Sequence, residues 1–542
     1  MTGRPVVFSR RQGLNMSSFG LWFAAAVLAA APLQSYPPNA APALKPDEVP
    51  TFNKHVSAIL WKNCANCHRP GEVGPFSLMS YDDAAKRADH IVEITASRTM
   101  PPWKAAHDYG NLSGVRRLTD EQLDVLARWA KAGAPQGDPQ DLGTPPTFAE
   151  GWQLGTPDLV LEMPEEFDVP ADGPDIYQCF VMPIPTTEHR TVAAAEFRPG
   201  NKKVVHHAIM FLDGNGAAHA KDVSEPGPGY RSFGGPGIIP TGGLGSWAPG
   251  AIPYRLPKGI GKFLRHGSDL VLQIHYHPNG KPQKDRSKVG IYFTKTPAQT
   301  IVGGLALMNT KLAIPPGAKE HKVSAKSEPL AADVYLLGLG PHLHLLGRQM
   351  KVWAETPTEK EVPLIWIKDW DFNWQLGYGF KAPVKLPKGS VIHCEATYDN
   401  TEDNPHNPNS PPKLVTWGEE TTDEMCLVSI LLITDTRQDL IKIVNMRQAK
   451  WGGALAGGVE AKDLIEMDGG KVAAAPEHDA IVEQIIDRGF AIPQEFQTQL
   501  GVFDGDGNKK LSRAEFDQIP EAIRTLIRGA IKERVKAATG KT

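Results

Sequence analysis

The chain has 542 residues and a formal net charge of −3, from 58 Lys and Arg against 61 Asp and Glu, with 41% hydrophobic and 22% charged residues. This balance excludes nucleic-acid binding by bulk electrostatics, and it excludes a strongly acidic or disordered chain. The length suits about three domains, and 52 glycines and 47 prolines spread along it predict short strands joined by turns, hence a multidomain, mainly β fold. Residues 1–33 read as an export signal: Arg4, Arg10 and Arg11 precede an apolar run from Gly20 to Leu33 that ends among small residues. That run is shorter than the ~20 residues of a spanning helix. A periplasmic or otherwise exported protein is expected, membrane-anchored if the segment is not cleaved and without a stable span if it is. Ser9-Arg10-Arg11 hints at twin-arginine export, although Gly13 stands where a bulky apolar residue is usual. The Pro- and Ala-rich residues 34–50 read as a linker.

Cys64-Ala65-Asn66-Cys67-His68 has the C-x-x-C-H spacing of covalent haem c attachment. Two thiols at this spacing bond the porphyrin edge, and the His68 ring then reaches the iron from one side. Met100, in Thr99-Met100-Pro101-Pro102-Trp103, is the candidate second axial ligand, with a packed core methionine as the alternative. Tyr81 to Arg98 reads as helical, and Thr119-Asp120-Glu121-Gln122 opens a capped helix running to Trp129. Together these features resemble a small α-helical monohaem cytochrome c domain over residues 51–138.

From about Gly151 to Asp435 the pattern changes to short apolar runs between Pro and Gly. Val204–Leu212, Leu270–His277, Val334–Leu339, Val391–Tyr398 and Cys426–Ile433 read as strands of antiparallel sandwiches. Three histidine groups lie among them: His206-His207, His275 with His277, and His342-Leu343-His344. Rings at i and i+2 of a strand project to one side, close enough to grip one ion. Imidazole suits copper or zinc, and a thioether added to the set favours reduced copper. A lone pair of this kind is often only a surface polar pair; three in one β body favour metal.

These segments, in this order, resemble the copper type II, ascorbate-dependent monooxygenases, the family of peptidylglycine α-hydroxylating and dopamine β-monooxygenases. The likeness runs through His206-His207, Gln273-Ile274-His275-Tyr276, His342-Leu343-His344 with Leu346-Gly347, and Thr422-Asp423-Glu424-Met425-Cys426. It implies two antiparallel, jelly-roll-like β-sandwiches at 150–300 and 301–437, facing each other across a solvent cleft and carrying two copper ions. By the resemblance, His206, His207 and His275 hold an electron-transfer copper, while His342, His344 and Met425 hold the catalytic copper that meets O2. Cys394 and Cys426 fall where the family carries a disulfide, which an exported protein permits. Cys179 has no partner in this scheme and reads as a buried thiol. His277 stands where the family usually has Gly, and reads as a supporting residue rather than a competitor of His275. Met350 is a further thioether near the second set.

The implied reaction inserts one oxygen atom of O2 into a C–H bond of a small organic substrate. Peptide amidation is disfavoured, because the positions that recognise a peptide carboxylate in the family carry Gly340, Leu427 and Ser429, none of which makes a charge-assisted pair. Trp366, Trp370, Phe372, Trp374 and Tyr378 are either a stacking wall for an apolar substrate or sandwich core. Electrons would come from an ascorbate-like reductant or a redox protein, with the attached haem passing them to the His206/His207/His275 copper. The competing reading is a haem–copper electron carrier or copper-handling protein without oxygenase activity.

Residues 438–490 read as a linker of unassigned role, and 491–535 as a short helical, EF-hand-like segment. Asp504, Asp506, Asn508, Ser512 and Glu515, with the carbonyl of Lys510, resemble an EF-hand calcium loop. Lys509 departs from it, since the sharp turn there normally takes Gly. Helices are expected over Pro493–Phe503 and Arg513–Glu533.

Overall fold

The computed structural model describes residues 44–446, apart from 46, 149, 150, 297 and 419, and then residues 478–492 and 500–539. The export segment, most of the two linkers and residues 493–499 of the helix expected at Pro493–Phe503 lie outside the described residues, and of the rest Leu500 is helical while 501–502 form a turn. Among the described residues, no helix is long and apolar enough to cross a membrane.

The helical unit opens with a π-helical turn, Phe52–Val56, that runs into α1 (Ser57–Asn63). It continues with α2 (Tyr81–Ala85), α3 (Ala88–Ala96) and α4 (Asp120–Lys131). Phe52, Leu60, Ile91, Leu126 and Trp129 form its core. The start of α4 is the expected one: Thr119 and Gln122 exchange side-chain-to-backbone hydrogen bonds as a capping box. The single helix expected from Tyr81 to Arg98 is instead two. Arg87 leaves helical geometry (φ −126°, ψ 15°), its guanidinium turned back to Asp83 O and over the Phe76 ring.

The first β unit contains β1 (Leu159–Glu162), β2 (Phe167–Val169), β3 (Ile176–Pro183) and β4 (Arg190–Arg198). It goes on through β5 (Val205–Asp213), α5 (Ala217–Ser224), β6 (Tyr230–Arg231), β7 (Gly242–Trp247) and β8 (Ile260–Leu264). β9 (Asp269–Tyr276), β10 (Gln283–Asp285), β11 (Lys288–Phe293) and β12 (Thr300–Ile301) complete it. Two five-stranded sheets, in the orders β1-β11-β4-β8-β12 and β6-β3-β9-β5-β7, enclose a core of residues such as Phe180, Leu212, Leu272 and Ile291. β9 is buried along its whole length, as a central strand covered on both faces must be.

The second unit holds β13 (Gly303–Met308), β14 (Ala313–Ile314), β15 (His321–Lys326), β16 (Val334–His342) and β17 (Gly347–Glu355). β18 (Val362–Ile367), β19 (Tyr378–Leu386), β20 (Val391–Tyr398), β21 (Val415–Thr416) and β22 (Leu427–Ile433) follow. Its two four-stranded sheets run β13-β22-β16-β19 and β15-β20-β17-β18. Leu336, Met350, Val352, Ile365 and Ile430 lie in its core, so Met350 is a packing residue. The unit does not stop at 437: α6 (Arg437–Val444) buries Leu440 and Ile443 in the same core.

The C-terminal unit comprises α7 (His478–Arg488), β23 (Phe490–Ala491), β24 (Lys510–Leu511), α8 (Arg513–Phe516) and α9 (Glu521–Thr539). Part of the expected 438–490 linker is therefore helix. The one helix expected over Arg513–Glu533 is broken at Pro520, which has no N–H to continue the first turn and a φ suited to starting the next. The unit is fastened to the first sandwich by Arg488–Asp269 at 2.5 Å and Lys510–Asp222 at 2.8 Å.

Candidate metal centre

His206 and His207 are neighbours on β5, and a regular strand would send their rings to opposite faces. A β-bulge prevents this. Val205 pairs with Tyr276 and His207 with His275, so two steps along β5 match one step along β9. The irregularity turns both rings toward His275, directly across the ladder. The three Nδ1 atoms form a nearly equilateral triangle: 3.3 Å between His206 and His207, 3.2 Å between His206 and His275, and 3.2 Å between His275 and His207. One proton can bridge only one such pair, leaving lone pairs facing each other. An ion ~2.0–2.1 Å from each nitrogen, the usual imidazole bond length, fits just off the centre of this triangle. Burial pushes His206 down to about 4 and holds His207 well below the ordinary value, with His275 adding to both effects. Both rings are therefore neutral at pH 7 and need lose no proton to bind metal.

Asp175 completes this set, and no spacing in the sequence points to it. Its carboxylate accepts from His275 Nε2 and from His277 Nδ1, each at 2.7 Å. Burial alone would raise the Asp175 carboxyl, but the two imidazoles hold it at about 2. His277 thus supports the set through Asp175, as its reading from the sequence has it. Tyr177 stacks on His275 with centroids 4.2 Å apart and planes at 11°.

The second set lies where β16 ends. The His342 and His344 rings are 5.1 Å apart at 85°. His342 Nδ1 donates to Gln375 Oε1, and His344 Nδ1 donates to Asp423 O at 3.1 Å. Both Nε2 atoms are left to bind metal. Burial lowers His342 to about 3 and His344 to about 4. Glu424, wholly buried, accepts from the backbone N–H of His344 at 2.9 Å, of Leu346 at 2.6 Å and of Met425 at 3.1 Å. One carboxylate therefore ties the His344 turn to Met425, whose carbonyl accepts from Tyr398 Oη at 2.7 Å.

The two sets are neighbours across the junction of the sandwiches. His342 is near enough to help lower the His207 imidazole, and the Tyr177 hydroxyl faces Thr421 in the loop leading to Met425.

Residues 299–447 match the family model of the copper type II ascorbate-dependent monooxygenase C-terminal domain. Over 280 residues, 49% of this chain, it is 25% identical to the peptidylglycine alpha-amidating monooxygenase of Rattus norvegicus, of which it covers 26%. Over 183 residues, 32% of this chain, it is 28% identical to the peptidyl-glycine alpha-amidating monooxygenase of Mus musculus, of which it covers 18%. The chain thus spans about a quarter or less of the length of these relatives. The copper-monooxygenase match contains His342, His344, Met425 and Cys426, and its range takes in α6.

Within the matched domain, Cys394 and Cys426 face each other as buried thiols, 4.0 Å apart and not bonded. Cys179 is wholly buried beside Phe211 and Tyr230. Of the five aromatics, Trp374 is half-buried with its N–H bonded to Asp371 O at 3.0 Å, and the other four divide. Trp370 and Tyr378 belong to the core, with the Trp370 indole donating to His344 O at 3.2 Å. Phe372 meets the His344 ring edge-on at 6.0 Å, and Trp366 lies against Tyr109. Gln375, which orients His342, and Glu424 carry no ligand pattern of their own, and only their place beside the histidines reveals them.

In the helical unit, His68 Nδ1 donates to Phe76 O at 3.1 Å, which leaves Nε2 as the ring nitrogen open to a ligand. Gly74 crosses so close that an added Cβ would lie 2.6 Å from Cys67 O. Burial pushes the Cys64 thiol up to about 12 and raises Cys67 as well. Met100 is half-buried, its N–H bonded to Ile94 O at 3.1 Å. Glu72, just beyond the motif, pairs with Arg69 at 3.1 Å and with Arg198 and Lys202 of the first sandwich, each at 3.3 Å.

In the C-terminal loop the carboxylates of Asp504, Asp506 and Glu515 converge within 4.8 Å. Lys509 adopts the left-handed conformation (φ 62°) that the turn requires in place of Gly. Asn508 directs its amide to Val223 O at 2.6 Å, while Ser512 Oγ and N both donate to Glu515. Lys510 N donates to Asn508 Oδ1 at 2.8 Å.

Proposed function

We propose that this chain is an exported copper-dependent monooxygenase that hydroxylates a C–H bond of a small organic substrate with O2. The observation that carries the reading is the Nδ1 triangle of His206, His207 and His275 facing a second set that presents its Nε2 atoms. Copper held by His206, His207 and His275, and by His342, His344 and Met425, would supply the electrons and the O2 chemistry. The chain's own residues do the rest. Asp175 and Gln375 set the ring orientations, Glu424 holds the His344 turn against Met425, and burial keeps the imidazoles neutral. Beside His342 the β16–β22 register sets Gly340 opposite Ser429 and His342 opposite Leu427, and none of Gly340, Ser429 and Leu427 offers a cation to a carboxylate. An uncharged, partly apolar substrate suits it.

The reading extends to the helical unit. Haem c would be held by Cys64, Cys67, His68 and Met100, and would supply electrons to the first histidine set. Its fit rests on the free His68 Nε2 and the glycine crossing at Gly74. Calcium in the 504–515 loop would stiffen the C-terminal unit. Metal analysis should return two coppers and one haem per chain, and O2 uptake with a reductant across uncharged substrates should yield hydroxylated product. In stopped flow, ferrous haem should reoxidise only when copper is present. Metal-loaded protein that consumes no O2 with any substrate would leave an electron carrier instead.

A further inference from the structure

The segment following Met100 runs out of the helical unit and along the second sandwich. Ala105 pairs with Ile367 of β18 and Ala106 N donates to Trp366 O at 2.7 Å. Leu112 pairs with Phe380 of β19, Ser113 N donates to Gly379 O at 2.8 Å, and Lys381 N donates to Asn111 O at 2.9 Å. β18 and β19 are edge strands of different sheets, so one segment closes two open edges. At Gly110 (φ 82°) the approach is so tight that a Cβ would lie 2.0 Å from Leu364 O, which leaves room for glycine alone.

The chain between those two strands is the loop that carries Trp370, Phe372 and Gln375, and all three touch the His342/His344 pair. The strap fastens both stems of this loop and grips it directly. Lys104, nearly buried, pairs with Asp369 at 2.9 Å and Asp371 at 3.6 Å, and Trp103 meets Tyr378 edge-on at 5.2 Å. We propose that residues 103–113 are a positioning strap through which the helical unit fixes the loop behind the second metal site, with Lys104 and Gly110 as its positioning residues. The metal in this inference rests on the copper reading above; the contacts do not. Without the strap, Gln375 would lose its fixed place behind His342, and the histidine ring would no longer be held for its ligand.

The test is Lys104→Met and Gly110→Ala in the full chain, with Lys104→Arg as the conservative rescue. In metal-free protein the Trp370, Trp374 and Leu376 amides, bonded to Arg348, Asp371 and Trp374 carbonyls, report on the loop. Both variants should speed their exchange roughly fivefold or more, with β9 amides unchanged. Lys104→Arg should restore the wild-type rate. In competition titrations, Cu(I) should bind more weakly at the second set and unchanged at the first. Loop amides that exchange as in the wild type, or a rise shared equally by β9, would overturn the proposal. Because exchange is read without metal, failure of copper to bind at either set refutes the metal reading and not the strap.

Discussion

Glu72 is the perturbation that most directly asks whether the helical unit serves the first histidine set. Its side chain is 14% exposed and meets three cations at 3.1–3.3 Å, of which Arg69 belongs to the same unit. Only Arg198 and Lys202 belong to the sandwich, one at the end of β4 and the other within the β4–β5 connection that leads into His206. A partly buried pair of this kind contributes about 1 kcal/mol after solvent screening, so Glu72→Gln should weaken the docking by about 2 kcal/mol, roughly thirtyfold in equilibrium. The Val204 and Val205 amides, both bonded to Asn201 O, should exchange faster by a comparable factor. In haem- and copper-loaded protein the reoxidation of ferrous haem should slow, and 0.5 M salt should narrow the gap between variant and wild type, since it screens what the mutation removes. Unchanged exchange at Val204 and Val205, together with an unchanged reoxidation rate, would refute the reasoning.

Asp175→Asn should weaken copper at the first set by about 10–100-fold in competition titrations, because His275 loses the acceptor that orients it; His277→Ala, which leaves that bond in place, should have a much smaller effect. Glu424→Gln turns an amide toward three backbone donors, so the second sandwich should lose about 1–3 kcal/mol by thermal or urea unfolding, and Glu424→Ala more. Lys262 is buried against Leu244 O at 2.9 Å, and burial pushes it down from 10.5 to about 8. Between those values the unfolded chain binds the extra proton, so wild-type stability rises with pH across that window. Lys262→Met should therefore stabilise the first sandwich at pH 7 by about 3 kcal/mol, with the advantage shrinking toward pH 10.5. An advantage that does not vary with pH would show that the lysine is not a buried charge.

How much could be read in advance follows from what kind of physics places each residue. β20 occupies Val391–Tyr398 as the sequence reads it, and β5, β9 and β22 agree within a residue at either end, because apolar runs bounded by Pro and Gly carry their own limits. The histidines of the two sets are legible as residue types in a recognisable order. What holds them is not. Asp175 lies 100 positions from His275, and Gln375 lies 33 from His342, with nothing in either spacing to join them. The break at Arg87 depends on a guanidinium finding Phe76, a tertiary contact. Pro520 is a breaker visible in the sequence, and helical periodicity on both sides conceals its effect. The strap from Trp103 to Ser113 lacks any apolar alternation, since its pairing is made by backbone against strand edges.

The bulge at Val205–His207 has a consequence for anyone wishing to transplant this chemistry. Two adjacent imidazoles turn toward His275 together only because the ladder slips by a residue beneath them. A His-His dipeptide grafted into an even hairpin would deliver one ring to each side of the sheet. Shortening the chain by one residue just ahead of it would likewise scatter the donors while leaving the strand intact. The portable unit is thus the mismatch between two strands, and lineages that keep the histidines yet lose the mismatch should have surrendered the convergence of the three rings.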